Sequence, residues 1–133
     1  MTYFLDSCTL ISIFEGRSQK AANKLKMALR DNIKIPSLVK GELITGAYKC
    51  HNVERKMDTI TKILEPYETV PFDEEASEVY GRMRAELEMK GNVIGPDDMI
   101  IAATVLSRGG IFVTSNTREF SRVKGLQIED WCK

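Results

Sequence analysis

Short, mainly apolar runs alternate along this chain with longer stretches whose apolar residues recur at helical spacing. Tyr3 to Leu5, Ile33 to Pro36, Tyr67 to Val70 and Ile111 to Val113 are runs of the first kind, and Gln127 to Ile128 reads as a fifth. Mainly apolar residues over so short a length, clearest in Tyr3 to Leu5 and Ile111 to Val113, fit strands covered on both faces. Between them, Thr9 to Phe14 looks helical and is closed by Gly16. Ser18 is placed to cap a helix running to about Leu29, with Ala21, Ala22, Leu25 and Leu29 on one face. Ser37 is expected to cap the next helix, which carries Leu38, Glu42, Leu43 and Ala47. Gly41 and Gly46 fall inside it, each costing about 1 kcal/mol relative to Ala, so close backbone packing is expected there. Val53 to Leu64 is a fourth helix. A long one opens at Asp73 or Glu74 and runs to Lys90, with Ala76, Val79, Tyr80, Met83 and Leu87 as its apolar stripe and Gly91 as its stop. Gly95-Pro96-Asp97-Asp98 starts another, because proline suits the first turn and acids suit the positive end of the dipole. It runs to Ser107 and ends at Gly109-Gly110.

The resulting order, β-α-α-β-α-α-β-α-α-β-α-β, predicts the α/β class, with a mainly parallel central sheet flanked by helices on both faces. The 133 residues suit one domain spanning 1–133, and 43% hydrophobic residues supply a core. Lys plus Arg equals Asp plus Glu at 19 each, so overall charge does not mark a nucleic-acid binder and any such contact must be local. Three cysteines (Cys8, Cys50 and Cys132) and one histidine (His51) match no zinc or disulfide framework, which fits a reducing cytoplasm. The N-terminus has no basic region and its apolar run is broken by Asp6, while the uncharged run from Met99 to Ser107 is too short to span a bilayer. A soluble, cytoplasmic protein with no membrane partner is expected. No phosphate-binding glycine loop is present, which argues against nucleotide hydrolysis and hydride transfer.

The acids carry the chemical signal. Ligands of an open parallel sheet bind beyond the carboxyl ends of its strands. Asp6 directly follows the first run, Glu42 lies one to two turns into the helix after the second, Asp97 and Asp98 open the helix that feeds the fourth, and Asn116 and Glu119 follow Thr114. Converging carboxylates repel one another unless a cation joins them. Oxygen donors without a His/Cys cluster suit Mg²⁺ or Mn²⁺ better than Zn²⁺. Taken singly, Asp6 reads as a helix cap and Asp98 as a dipole partner; their common placement favours a metal site.

Four motifs in this order resemble the PIN-domain ribonucleases, specifically VapC-type toxins. They are Tyr3-Phe4-Leu5-Asp6-Ser7-Cys8-Thr9-Leu10-Ile11, the stretch from Ser37 through Glu42-Leu43 to Gly46-Ala47, Ile94-Gly95-Pro96-Asp97-Asp98-Met99-Ile100-Ile101-Ala102-Ala103, and Val113-Thr114-Ser115-Asn116-Thr117-Arg118-Glu119-Phe120. The tail from Val123 to Trp131 is similar as well. The resemblance implies a PIN-like three-layer sandwich and an endoribonuclease using Mg²⁺ or Mn²⁺. It maps the catalytic constellation onto Asp6, Glu42 and Asp98, with Asn116 at a fourth place where many relatives carry Asp. Asp6 and Asp98 are the implied metal ligands. Asn116 is able to hold a water, and Glu119 is the candidate substitute for the missing carboxylate. Ser7 and Thr114 are expected to hydrogen-bond within the site. The resemblance also implies an RNA substrate, such as a tRNA, a small antitoxin covering the active-site groove, and a homodimer.

Other residues receive ordinary expectations. Asp97 should point away from Asp98, since successive helix residues do not share a face. Cys8 should be buried and inert, His51 unremarkable near a helix end, and Trp131 a packing residue. Lys20 with Lys24 and Lys26 with Arg30 read as solvated faces, while Arg118 and Arg122 are better placed to guide RNA. Two alternatives stand beside the nuclease. A haloacid-dehalogenase-like phosphatase needs a second Asp where Cys8 stands, and a non-catalytic binding module would use the acids only as caps.

Overall fold

The computed structural model describes all 133 residues. Five strands form one parallel sheet: β1 (Tyr3–Leu5), β2 (Ile33–Pro36), β3 (Glu68–Val70), β4 (Ile111–Val113) and β5 (Gln127–Glu129), in the spatial order β3-β2-β1-β4-β5. Phe4, Leu5, Ile33, Ile35, Val70, Phe112 and Val113 are buried in a single core of 25 residues. This is the double-sided covering expected for the apolar central strands.

The helices are α1 (Ser7–Phe14), α2 (Gln19–Met27), α3 (Ser37–Tyr48), α4 (Val53–Leu64), α5 (Glu74–Met89), α6 (Pro96–Arg108) and the short α7 (Thr117–Phe120). Local chemistry sets most of their ends. Ser18 accepts from Ala21 N at 3.1 Å, and Asp73 from Ala76 N at 3.0 Å. Gly109 closes α6 in the left-handed conformation, φ 73°. Buried Ala102 and Ala103 let α6 lie close in the core.

Three local expectations are corrected. Helix α2 stops at Met27, and a single 3-10 turn at Arg30–Asn32 leads into β2; Leu29 precedes that turn and is 71% exposed instead of lying on the apolar face of α2. Ser37 does not cap α3, because the helix begins on it. The cap position falls on Pro36, without a side-chain bond. Gly41 and Gly46 meet no close neighbour, since a Cβ on either would find nothing within 4 Å.

The topology fixes the position of the site. From β1 the chain steps to β2 and β3 on one side, then returns to β4 and β5 on the other. The direction of winding reverses between β1 and β4, and a crevice opens beyond the carboxyl ends of strands at such a point. No helix is long and apolar enough to cross a membrane.

Candidate active site

Asp6 stands at the crevice as the first residue beyond β1 and the N-cap of α1, 6% exposed. Its backbone N–H continues the ladder to Val113 O at 2.9 Å. Oδ1 accepts from Ser7 N at 2.8 Å. Oδ2 accepts from the Thr114 hydroxyl at 2.7 Å and more weakly from the Cys8 thiol at 3.4 Å. The carboxylate is thus clamped by a cap on one side and by the first residue past β4 on the other. Thr114 is itself fully buried, and its Oγ1 accepts from Asn116 N at 3.0 Å, which shapes the turn into α7.

Glu42 reaches the site from the second turn of α3, where the Ser7 hydroxyl donates to its Oε1 at 3.0 Å. Burial pushes its pKa up. The charges of Asp6 and Asp97 push the same way, while the Ser7 bond opposes them. Asp97 is exposed, and its charge is felt at Glu42.

Asp98 lies in the first turn of α6. Its carboxyl is pushed up to about 7, first by burial, then by hydrogen bonding to the Glu119 carboxyl, then by the negative charges of Asp6, Glu119 and Glu42. No lysine, arginine or histidine pulls either Glu42 or Asp98 down. Asn116 is exposed, and its side-chain amide donates to Glu119 Oε2 at 3.3 Å. Glu119 therefore bears on the Asp98 carboxyl, and Asn116 bonds to Glu119.

Asp6, Glu42, Asp98 and Glu119 thus come together from four distant stretches, while Asn116 reaches only Glu119. The donors are oxygens, and the one soft atom beside them is the Cys8 sulfur. Its pKa is raised by burial and by Asp6, so the thiol stays protonated. No three acidic, cysteine or histidine side chains lie close enough to grip an ion unaided. By donor type, oxygens without a histidine or thiolate suit Mg²⁺ or Mn²⁺ better than Zn²⁺, and Mg²⁺ keeps several waters and uses one or two carboxylates. A divalent ion would also relieve the mutual repulsion that raises Asp98. Beyond Glu42, a cavity of about 180 Å³ opens between α1, α3 and α4, lined by apolar Ile11, Phe14, Leu43 and Ile60.

The remaining candidates fall where the sequence suggested or lie apart. Trp131 is buried and packs on Tyr3 with ring centroids 5.3 Å apart, so it is a packing residue. His51 is exposed between α3 and α4. Arg118 is exposed on α7, and Arg122 donates to Val93 O at 2.9 Å. Glu119 was signalled in the sequence by its place after the fourth strand, three residues beyond Asn116.

The PIN domain family profile matches residues 3–126. The tRNA(fMet)-specific endonuclease VapC of Salmonella typhimurium is 34% identical over 132 residues, spanning 99% of each chain. The enzyme of the same description from Shigella flexneri is 38% identical, spanning 98% of each. Among solved structures, DNA-bound VapBC from Salmonella typhimurium superposes with a TM-score of 0.93 at 34% identity over 99% of both chains. VapBC2 from Rickettsia felis, bound to a DNA fragment from its promoter, gives 0.92 at 30% identity over 98% of this chain and 99% of that one. With the parallel sheet and the acids gathered at its switch point, these likenesses establish that the chain belongs to the PIN-domain family and, within it, to the VapC-type ribonucleases.

Proposed function

We propose that this protein is a divalent-metal-dependent endoribonuclease acting as the toxin of a toxin–antitoxin pair, with Asp6, Glu42, Asp98 and Glu119 as its working carboxyls. The observation that carries this reading is the gathering of acids from four separate segments, with no counter-cation among them, at the point where the sheet reverses its winding. A passive domain gains nothing from holding Asp98 at about 7; stored repulsion of that kind marks a functional site.

Asp6 and Asp98 would hold Mg²⁺ or Mn²⁺, with Glu42 and Glu119 steadying the surrounding water. When bound, such an ion supplies charge neutralisation at the phosphodiester and activation of the attacking water. The chain's own residues do the positioning. Thr114 Oγ1 and Ser7 N fix the two oxygens of Asp6, Ser7 Oγ fixes Glu42, and Asn116 Nδ2 fixes Glu119. Asp98 and Glu119, facing each other, are suited to share and pass a proton at Oδ and Oε.

A tRNA is the proposed substrate class, consistent with the names borne by the Salmonella and Shigella relatives. A small antitoxin covering the active-site groove, a homodimer and a cytoplasmic location complete the reading. The test is cleavage of total tRNA by wild type and by the Asp6→Asn/Asp98→Asn variant. Wild type should cleave only with Mg²⁺ or Mn²⁺, chelator should stop it reversibly, and the folded double variant should be inert. Full cleavage by that variant would overturn the assignment, and inertness of the wild type with either ion would favour a binding module.

A further inference from the structure

A second concave feature lies apart from the four site carboxylates, none of which lines it. It is a cavity of about 140 Å³ between α5, the end of α6 and the segment after α7. Arg82 and Lys90 of α5 and Arg122 and Lys124 of the following segment stand around it, with Glu86 as its one acid. Glu86 is already paired to Lys90 at 3.3 Å. Arg82, Arg122 and Lys124 have no carboxylate within 4.0 Å. Three uncompensated cations at one opening are a strong local bias in a chain of zero formal net charge. The floor is apolar, formed by Met83, Leu87, Leu106 and Val123.

Hydrogen bonds from Arg122 tie the rim of the cleft to the segments that carry two of the active-site acids. Arg122 N donates to Glu119 O at 3.1 Å, and Arg122 Nη1 donates to Val93 O at 2.9 Å. Val93 lies in the loop leading to Gly95, whose Cα faces the Asp98 carboxyl: a Cβ there would sit 3.4 Å from Oδ2. Arg122 therefore ties the turn bearing Glu119 to the loop that launches α6.

We propose that this cleft is a secondary RNA-binding subsite that holds the substrate strand beyond the cleavage point, phosphates on the Arg82, Arg122 and Lys124 rim and a ribose or base face on the apolar floor. The proposal rests on the ribonuclease reading for its choice of occupant. The charge favours a polyanion over an apolar segment or a second copy of this chain, whose formal charge is zero. It also explains how a neutral protein retains RNA beside a strongly acidic site: the attraction is local and set to one side.

The test is fluorescence anisotropy of a long fluorescein-labelled oligoribonucleotide, titrated with full-length protein in chelator across a series of salt concentrations. Arg82→Glu/Lys124→Glu should weaken binding by about tenfold or more and lower the slope of log K against log salt by about two, as expected for two lost phosphate contacts. Lys20→Glu/Lys24→Glu on α2, with the same change in net charge, should bind within about twofold of wild type. Equal weakening by the two variants, or none by the first with its melting temperature intact, overturns the subsite. So does unchanged RNA binding accompanied by loss of a dimer in sedimentation, which would assign the cleft to a second copy. Binding in chelator is independent of catalysis. A wild type that binds through the cleft but never cleaves defeats only the nuclease reading, and one that cleaves but ignores the charge reversal defeats only the subsite.

Discussion

The Thr114 hydroxyl donates to Asp6 Oδ2 at 2.7 Å, pinning the residue beyond β4 to the residue beyond β1 inside the protein. The same oxygen accepts from Asn116 N at 3.0 Å, so one hydroxyl positions both Asp6 and the turn that brings Glu119 to the site. Thr114→Val keeps the shape and removes both bonds. It is expected to cost about 1–3 kcal/mol, because a buried acceptor and a backbone donor lose their partner. RNA cleavage should fall by about tenfold or more as Asp6 and Glu119 loosen. Thr114→Ser should retain most of both. Urea unfolding and single-turnover cleavage measure the two effects; a folded Thr114→Val at full rate would show that the pin is dispensable.

Glycine substitutions should separate space from propensity. A Cβ on Gly110 would lie 2.8 Å from Thr2 O and closer still to the Phe4 ring, where β4 sets out beside β1. The ring is buried and the oxygen is backbone, so neither can yield cheaply. Gly110→Ala should destabilise by about 2–3 kcal/mol or more. Gly41 sits inside α3 with open space around it, and Gly41→Ala should stabilise by about 0.5–1 kcal/mol through helix propensity. Thermal unfolding decides both, and a destabilised Gly41→Ala would restore a packing role to that glycine.

The strands were legible because the central ones are covered on both faces and so are mainly apolar, and runs such as Ile111 to Val113 admit few other readings; the edge strands, with Glu68 and Gln127 exposed, carry a weaker signal. The positions of Asp6, Glu42 and Asp98 were legible for a related reason: each is tied by sequence to the end of a strand or the start of a helix. What escaped depended on where turns close. Leu29 follows Leu25 at helical spacing, yet the chain leaves the helix at Met27, so periodicity carried the reading one turn too far. Ser37 has the chemistry of a cap, but Pro36 takes the cap position with ψ 139° and the helix starts one residue sooner. Asn116 and Glu119 lie three residues apart on a single turn, and only the closure of that turn shows which of them bears on the Asp98 carboxyl.

Asp98 gives the folded protein a pH dependence with a definite sign. An unfolded Asp titrates near 3.9, whereas Asp98 in the folded chain titrates at about 7. Between those values the folded state keeps a proton that the unfolded state has lost, so raising the pH through this window lowers stability. Glu42, also raised, acts in the same direction. Metal-free protein is therefore expected to melt a few degrees higher near pH 5 than near pH 8, less than full linkage would give because the group is partly solvated. Mg²⁺ or Mn²⁺ should raise the melting temperature more at the higher pH, where the carboxyls are charged. Asp98→Asn should flatten the profile and abolish cleavage. A flat profile in the metal-free wild type would remove the stored repulsion on which the metal site is argued.

The division of labour between Asn116 and Glu119 can be tested directly. Glu119 faces Asp98 and contributes to its raised pKa, while the Asn116 amide reaches only Glu119 Oε2, at 3.3 Å. Glu119→Gln removes a charge next to Asp98, and cleavage at limiting Mg²⁺ should fall by about 10–100-fold. The metal-free protein should at the same time become more stable near pH 8, because one repelling group is gone. Asn116→Ala leaves the four carboxyls in place and frees only the Glu119 side chain, so its loss should stay within about threefold and shrink as Mg²⁺ is raised. Asn116→Asp would set a further acid against Glu119 and should lower metal-free stability near pH 8. Cleavage rates across a Mg²⁺ titration, paired with melting curves in chelator, resolve the three variants. The opposite ranking, with Asn116→Ala crippling and Glu119→Gln mild, would transfer the fourth working oxygen to Asn116 and leave Glu119 as its support.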